Sequence, residues 1–223
     1  MSPMLLTSRA ARRRAVVGTV LVAVAVAVVM SLAPLLFGMA ASPPARIAVF
    51  LGLYAAMAAL TLGAHRLDGL SKLGLGFSRA RSGRQVAIGA ALAAALLILV
   101  VGIPVAVGVD PADIVGSGNT LIFAALSAVV VGTGEELLFR GYLLGRLTVA
   151  LRSPVAALAI SSALFGLSHL PLSGSWAQVA VTTGIGAVLA AGRIWLPGCS
   201  LLSLIVAHAL YDFSLAVIAG SLS

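Results

Sequence analysis

The stretch LIFAALSAVVVGTGEELLFRG, residues 121–141, places two adjacent glutamates and an arginine directly behind a long apolar run. Charged side chains are costly in such surroundings because they lose their hydration. The stretch is nevertheless long enough to cross a lipid bilayer as a helix, for which about 20 mainly apolar residues suffice. It therefore predicts a membrane helix that carries a polar site.

The whole chain is apolar. Of its 223 residues, 61% are hydrophobic and 9% are charged, and the mean hydropathy is +1.16, whereas soluble domains are about 25% charged. The lone Cys199 excludes an internal disulfide framework or a cysteine-based metal cluster. The net charge of +8 comes from arginines between apolar runs, which is typical of anchoring at an anionic membrane surface. We therefore expect the lipid bilayer and no nucleic acid as a partner.

Seven apolar runs predict an all-α, polytopic transmembrane helical bundle of about 7–8 spans. They cover roughly residues 15–37, 46–63, 86–109, 119–145, 154–170, 176–191 and 198–220. The breaks between them contain Ser42-Pro43-Pro44, Asp110-Pro111, Ser153-Pro154 and Leu196-Pro197-Gly198, which are turn signals. The first run is longer than the roughly 7–15 residues of a signal-peptide core, so a retained helix is favoured over a cleaved signal peptide.

The placement of basic residues predicts the topology. Basic residues cluster near the N-terminus and between the second and third runs, namely Arg9, Arg12, Arg13, Arg14, Arg66, Lys72, Arg79, Arg81 and Arg84. The segment 110–118 has none. The positive-inside rule then predicts a basic cytoplasmic N-terminus over residues 1–14, followed by a single membrane-embedded domain over 15–223.

Few ionisable residues occur within the apolar runs. Of the six acidic residues, only Glu135, Glu136 and Asp212 lie in or beside apolar segments, as do two of the three histidines, His169 and His208. Ionisable residues inside a membrane segment suggest a functional site. We therefore expect these five residues to form one site.

The spacing of Glu136 and Arg140 predicts an ion pair, because residues i and i+4 stack on one helix face. Glu135 is rotated by about 100° from Glu136 and can point elsewhere. The alternative is that these charges form a structural ion pair near the membrane interface.

His169 follows in the motif FGLSH, residues 165–169. If the chain turns at Arg152, Glu135 and His169 each lie about 25 Å of helix from the turn. The two side chains could then meet across an antiparallel helix pair. The alternative is a histidine that forms a structural hydrogen bond between helices.

The third motif is HALYD, residues 208–212. The i, i+4 spacing places His208 and Asp212 on one helix face. An unpaired ionised carboxylate would be costly there, so Asp212 should be protonated, hydrogen-bonded or next to water. A polar clamp between helices is the structural alternative.

Together, E-E-L-L-F-R, F-G-L-S-H and H-A-L-Y-D resemble the ordered motifs of the CAAX-protease and bacteriocin-processing family of intramembrane glutamic endopeptidases. The resemblance covers a CAAX-protease-like core at about residues 119–220. It implies a hydrolase of the cell membrane that cuts a peptide bond of a membrane-associated protein or peptide. The alternatives are a non-catalytic bacteriocin-immunity or regulatory protein on the same fold and, third, a proton-coupled transporter.

The resemblance also implies residue roles. Glu135 and His169 would activate a water molecule, while His208 and Asp212 would stabilise the oxyanion. Many family members carry asparagine at the position of Asp212, and an ionised aspartate can only accept hydrogen bonds. We therefore expect Asp212 to orient His208 by accepting a hydrogen bond from its other ring nitrogen. The remaining motif residues, Glu136, Arg140 and Phe165, would shape the site.

A metal-dependent mechanism is the chemical alternative. Zinc could be held by Glu135, His169 and His208 with an open position for water. The sequence lacks the HExxH motif, and we favour chemistry without a cofactor. The Arg- and Ala-rich, Lys-poor composition suggests a bacterial inner-membrane protein.

Overall fold

The computed structural model describes residues 8–70, 74–78, 82–115 and 121–222, and these are all-α. Lys72, Arg79, Arg81 and residues 1–7 lie outside the described residues. The described chain forms eight helices. They are α1 (Arg9–Met39), α2 (Pro43–Leu67), α3 (Ser82–Ala106), α4 (Pro111–Val115), α5 (Leu121–Glu136, Leu137–Leu143 and Leu144–Leu151), α6 (Pro154–Ser173), α7 (Trp176–Trp195) and α8 (Leu201–Leu222).

Six of these helices, α1, α2, α3, α6, α7 and α8, are long and apolar enough to cross a membrane. They correspond to six of the seven predicted spans and show an integral, multi-pass membrane protein. The predicted span over 119–145 corresponds to α5, which is helical from Leu121 but is not among the six within the described residues. The cytoplasmic N-terminus stays a prediction.

Several helix starts follow the sequence signals. The side chains of Ser8, Ser42 and Ser153 accept hydrogen bonds from backbone N–H groups in the first turns of α1, α2 and α6. This satisfies donors that a helix N-terminus leaves unpaired. The turn predicted near Arg152 is also present, because α5 ends there with Arg152 in the left-handed region at φ 56°.

Two segments depart from regular α-helix. Residues Ile98–Gly102 of α3 and Leu137–Leu143 of α5 are π-helical, so their backbone bonds run from i to i+5. The segment in α5 begins directly after Glu136. The 100° rotation per residue that applies to an α-helix therefore does not continue from the glutamates to Arg140.

The chain divides into two compact units. The first unit contains Met1–Gly76 and Leu137–Ile194, and the second contains Phe77–Glu136 and Trp195–Ser223. The boundary inside α5 separates the two glutamates from Arg140. The single membrane-embedded domain over 15–223 stays a prediction.

In the first unit, α1 buries one narrow face of mostly small residues. This face consists of Ala11, Ala15, Gly18, Thr19, Val22, Val26, Met30 and Ala33. Their spacing of three and four residues places them on one side of the helix. The opposite side exposes valine and leucine, as expected for a helix whose solvent is lipid.

A buried polar cluster in the first unit connects the end of α2 to α5. The Nε atom of Arg146 donates to Asp68 Oδ2 over 2.9 Å, and its Nη2 atom lies 2.8 Å from His65 Nδ1. Its guanidinium also covers the Tyr142 ring at 4.4 Å. Arg146 has no exposed surface, and its charge is compensated by Asp68.

In the second unit, α8 packs against α3 and against the first part of α5. Glycines permit both approaches. A Cβ atom at Gly89 would lie 2.6 Å from the Ser203 carbonyl oxygen, and one at Gly132 would lie 3.1 Å from the Ala209 nitrogen. The missing side chains therefore bring these backbones together.

Candidate functional site

The close approach at Gly132 positions the two glutamates beside α8. A Cβ atom at Gly132 would also lie 3.4 Å from the Cβ atom of His208. Glu136 is one helical turn further along α5, on the side that meets this histidine. The packing of α5 on α8 thus determines which polar groups meet.

The imidazole of His208 lies among three carboxyl groups of the second unit. Its Nδ1 atom is 2.9 Å from Glu136 Oε1, while its Nε2 atom is 3.5 Å from Asp212 Oδ2 and 3.8 Å from Glu135 Oε2. Glu135, Glu136 and His208 are buried, whereas the Asp212 side chain is 30% exposed. The structure therefore brings together four of the residues that the sequence singled out.

The two ring nitrogens of His208 have different surroundings. An ionised carboxylate only accepts hydrogen bonds, so Nδ1–H donates to Glu136 when Glu136 is ionised. This bond fixes the plane of the ring and directs Nε2 toward Glu135 and Asp212. When Nε2 carries a proton, it is a donor aimed at the space between these two carboxyl groups.

The sequence did not predict the bond between Glu136 and His208. It predicted Arg140 as the partner of Glu136, and that pairing stays a prediction. The spacing rule for a single helix cannot find a partner 72 residues away. The available signal was Gly132, one turn before Glu136, which marks a close approach between helices.

The predicted pairing of His208 with Asp212 is present as an i, i+4 contact of 3.5 Å. However, the shortest carboxylate contact to the ring is made by Glu136 at the other nitrogen. Glu136 therefore has the geometry for orienting the ring, a role that was predicted for Asp212.

His169 lies in the first unit, directly after the regular part of α6 that ends at Ser168. Its Nδ1 atom lies 2.9 Å from the carbonyl oxygen of Phe165. A carbonyl can only accept, so Nδ1 carries the hydrogen and a neutral ring keeps its lone pair on Nε2. Such a ring can accept a proton through Nε2.

Phe165 and Arg140 support this histidine within the first unit. The Phe165 ring contacts the His169 ring edge-on, with the centroids 5.0 Å apart. The Arg140 guanidinium covers the Phe165 ring at 4.3 Å from its centroid and donates to the Gly186 carbonyl oxygen over 3.1 Å. Both residues are buried. This geometry suits the site-shaping role that was predicted for them.

The convergence of Glu135 and His169 stays a prediction, because the two residues belong to different units. The zinc alternative requires Glu135, His169 and His208 together. Among the described residues, no group of three or more His, Cys, Asp or Glu side chains is arranged to hold a metal ion. The cofactor-free mechanism and its zinc alternative both stay predictions, and we derive no step through a metal.

Comparison with known protein families gives a match to part of the chain. Residues 117–214 match the family model of the Rce1-like type II CAAX prenyl endopeptidases. This stretch contains all three motifs and overlaps the core predicted at about 119–220. No curated protein and no solved structure matches the chain.

Proposed function

We propose that this protein, whose residues 117–214 form an Rce1-like type II CAAX prenyl endopeptidase domain, is a glutamate- and histidine-dependent intramembrane endopeptidase. Family membership implies a peptidase that acts on protein substrates. The finer proposal is that Glu135 and His169 activate a water molecule, which then hydrolyses a peptide bond of a membrane-associated protein or peptide. The observation that carries it is the buried cluster of Glu135, Glu136 and His208 within the matched stretch.

The first step is attack by water on the scissile carbonyl carbon. As the new C–O bond forms, the water proton passes to Glu135 or to the Nε2 atom of His169. The hydrogen bond from His169 Nδ1 to the Phe165 carbonyl supports this assignment, since it leaves Nε2 as the acceptor. General-base groups of this kind contribute about 10²–10⁴-fold to a rate.

The second step is collapse of the tetrahedral intermediate. The C–N bond breaks, and the amine departs with the proton that the general base had taken. A protonated Nε2 of His208 would donate to the oxyanion, with its ring held by Glu136 over 2.9 Å. Asp212 lies 3.5 Å from the same Nε2 atom, and an ionised carboxylate would repel the oxyanion, so we assign Asp212 no direct contact with it.

The experiment uses membranes from cells that express the wild-type protein, Glu135→Gln, His169→Ala or Asp113→Asn. Asp113 is an exposed acid in α4, so its substitution is the matched control. We expect new protein termini, identified by mass spectrometry of the membrane proteome, with wild type and Asp113→Asn. Their formation should slow by about 10²–10⁴-fold with the other two variants.

Wild-type cleavage rates with Glu135→Gln would refute the catalytic assignment. If cleavage were the same with wild type and with Glu135→Gln, but the protein protected or regulated other membrane proteins, the non-catalytic alternative would be supported. Loss of activity with a chelator, restored by added zinc, would favour the metal-dependent alternative. A proton flux across proteoliposomes, lost with Glu135→Gln, would favour the transporter.

The proposal also includes the location and the orientation of the protein in the membrane. Six candidate spans make this a multi-pass membrane protein, and the arginine distribution supports a cytoplasmic N-terminus. We assign it to a bacterial inner membrane from its composition. Labelling of single cysteines placed at Arg9 and at Asp113, in a Cys199→Ser background, would test this orientation with a membrane-impermeant maleimide.

A further inference from the structure

A groove of about 1510 Å³ lies in the first unit between the first half of α1 and the end of α2. Its walls are formed mainly by small and aliphatic residues, which include Val17, Leu21, Ala25, Ala56, Ala59 and Leu60. At one end it is lined by Arg13 and Arg14, both of which are exposed. The groove therefore combines an apolar channel with a basic rim.

The groove has the length of one membrane leaflet. Along α1 it is lined from Arg13 to Ala25, which corresponds to about 18 Å of helix at 1.5 Å per residue. Half of the roughly 30 Å hydrocarbon core is about 15 Å. Both α1 and α2 are candidate membrane spans, so an acyl chain could follow the groove while its headgroup stays at the membrane surface.

The positive charges at the rim of the groove favour a ligand with an anionic headgroup. Asp68 is the one acidic residue among the described lining residues, and its carboxylate is paired with Arg146 at 2.9 Å. Arg14 lies over Gly69, where a Cβ atom would be only 2.7 Å from its Nη1 atom. The missing side chain thus leaves space for this guanidinium. Arg13 and Arg14 carry the charge at the rim that Asp68 does not compensate.

We propose that this groove is a binding site for an anionic glycerophospholipid, with the phosphate held by Arg13 and Arg14 and one acyl chain between α1 and α2. Basic pockets between membrane helices on the cytoplasmic side are suited to anionic headgroups. The proposal does not depend on the peptidase assignment, because neither arginine belongs to the three motifs.

The first test measures lipid binding by native mass spectrometry of the full-length protein, released from detergent and titrated with phosphatidylglycerol or phosphatidylcholine. The variant is Arg13→Gln/Arg14→Gln. The control is Arg9→Gln/Arg66→Gln, which removes the same total charge from α1 and α2, the two helices that form the groove, at positions outside the described lining.

Each arginine near an anionic surface contributes about 1 kcal/mol. Removing both should weaken phosphatidylglycerol binding by roughly thirtyfold, since 1.4 kcal/mol corresponds to tenfold. The control should change it by less than about threefold. Equal binding of the two lipids by wild type, or equal losses in the two variants, would overturn the proposal. So would displacement of phosphatidylglycerol by equimolar inorganic phosphate, which would indicate a site for a free anion.

The second test fills the channel. A Cβ atom at Gly63, which lines the groove, meets nothing within 4 Å, and the same is true of Gly52 elsewhere on α2. Gly63→Leu should therefore fold as well as Gly52→Leu, as circular dichroism would verify, but should reduce phosphatidylglycerol binding at least tenfold. Unchanged binding by a folded Gly63→Leu variant would exclude the acyl chain from this groove.

Discussion

The contact between Glu136 and His208 is predicted to stabilise the second unit, and a double-mutant cycle can measure this. Both residues are buried, and Nδ1 lies 2.9 Å from Oε1. Glu136→Ala removes the acceptor and leaves a buried polar ring nitrogen. Breaking a buried charged pair in this way costs about 3–5 kcal/mol. We expect the free energy of unfolding of Glu136→Ala to decrease by an amount in this range.

The coupling between the two residues is expected to be smaller than this loss. Hydrogen bonds to charged groups contribute about 1.5–3 kcal/mol, whereas hydrogen bonds between membrane helices reach at most about 1.7 kcal/mol. The two ranges overlap near 1.5 kcal/mol. Glu136→Ala and His208→Ala together should therefore cost about 1.5 kcal/mol less than the sum of the single substitutions.

The assay is reversible unfolding by SDS in mixed micelles, followed by the helical signal in far-ultraviolet circular dichroism. A second cycle with Asp212→Ala and His208→Ala is the matched control. Its coupling should stay below about 0.5 kcal/mol, because the contact is longer at 3.5 Å and the Asp212 side chain is 30% exposed. A coupling for Glu136 and His208 within about 0.5 kcal/mol of zero, the limit of additivity, would refute the assigned contact.

Three further predictions concern helix packing in the second unit and buried arginines in the first unit. Gly89→Ala should lower the free energy of unfolding by about 1–3 kcal/mol, because its Cβ atom would meet the α8 backbone at 2.6 Å. The control Gly83→Ala, in open space on the same helix, should change the free energy of unfolding by less than about 1 kcal/mol. Equal effects of the two substitutions would contradict the packing of α3 on α8. Arg146→Ala should cost about 3–5 kcal/mol by leaving Asp68 buried without its partner. Adding Asp68→Asn should recover part of that loss in the same SDS assay, whereas a further loss would show that the stranded charge is not the cause. Arg140→Lys should lower the melting temperature, since it loses the planar contact with the Phe165 ring at 4.3 Å. An unchanged thermal transition would argue against that contact.

The sequence was sufficient to predict the helical class and most helix positions. Long apolar runs separated by Ser-Pro signals predict helices because serine satisfies the first N–H groups and proline lacks a donor there. The observed starts at Pro43 and Pro154 agree with this reasoning, whereas the short helix Pro111–Val115 lies in a segment that was predicted to be a break. Span number was harder to predict, since α5 carries four buried charged residues, Glu135, Glu136, Arg140 and Arg146, and apolarity alone does not describe such a helix.

The meeting of Glu135, Glu136, His208 and Asp212 was also predictable, because so few ionisable residues occur in the apolar runs. One pairing within this group was predictable from the geometry of a single helix. In α8 the i, i+4 rule correctly placed His208 beside Asp212. In α5 the same rule assumed an α-helix, but the chain becomes π-helical directly after Glu136. The bond from Glu136 to His208 depends on the approach of α8 at Gly132, which no spacing within one helix can indicate.

The adjacent glutamates can now be given separate tasks on physical grounds. Glu136 holds the Nδ1 atom of His208 at 2.9 Å, so its loss should first reduce stability, whereas Glu135 lies 3.8 Å from Nε2, beyond normal hydrogen-bond length. If Glu135 accepts a proton during the reaction, it cannot at the same time form a strong structural bond to the His208 ring. If Glu135 is the general base, Glu135→Gln should slow hydrolysis while leaving the unfolding free energy within about 1 kcal/mol of wild type, because removing a catalytic charge seldom weakens the fold. The reverse pattern, in which Glu135→Gln unfolds the protein and Glu136→Gln stops catalysis in a stable fold, would exchange the two roles.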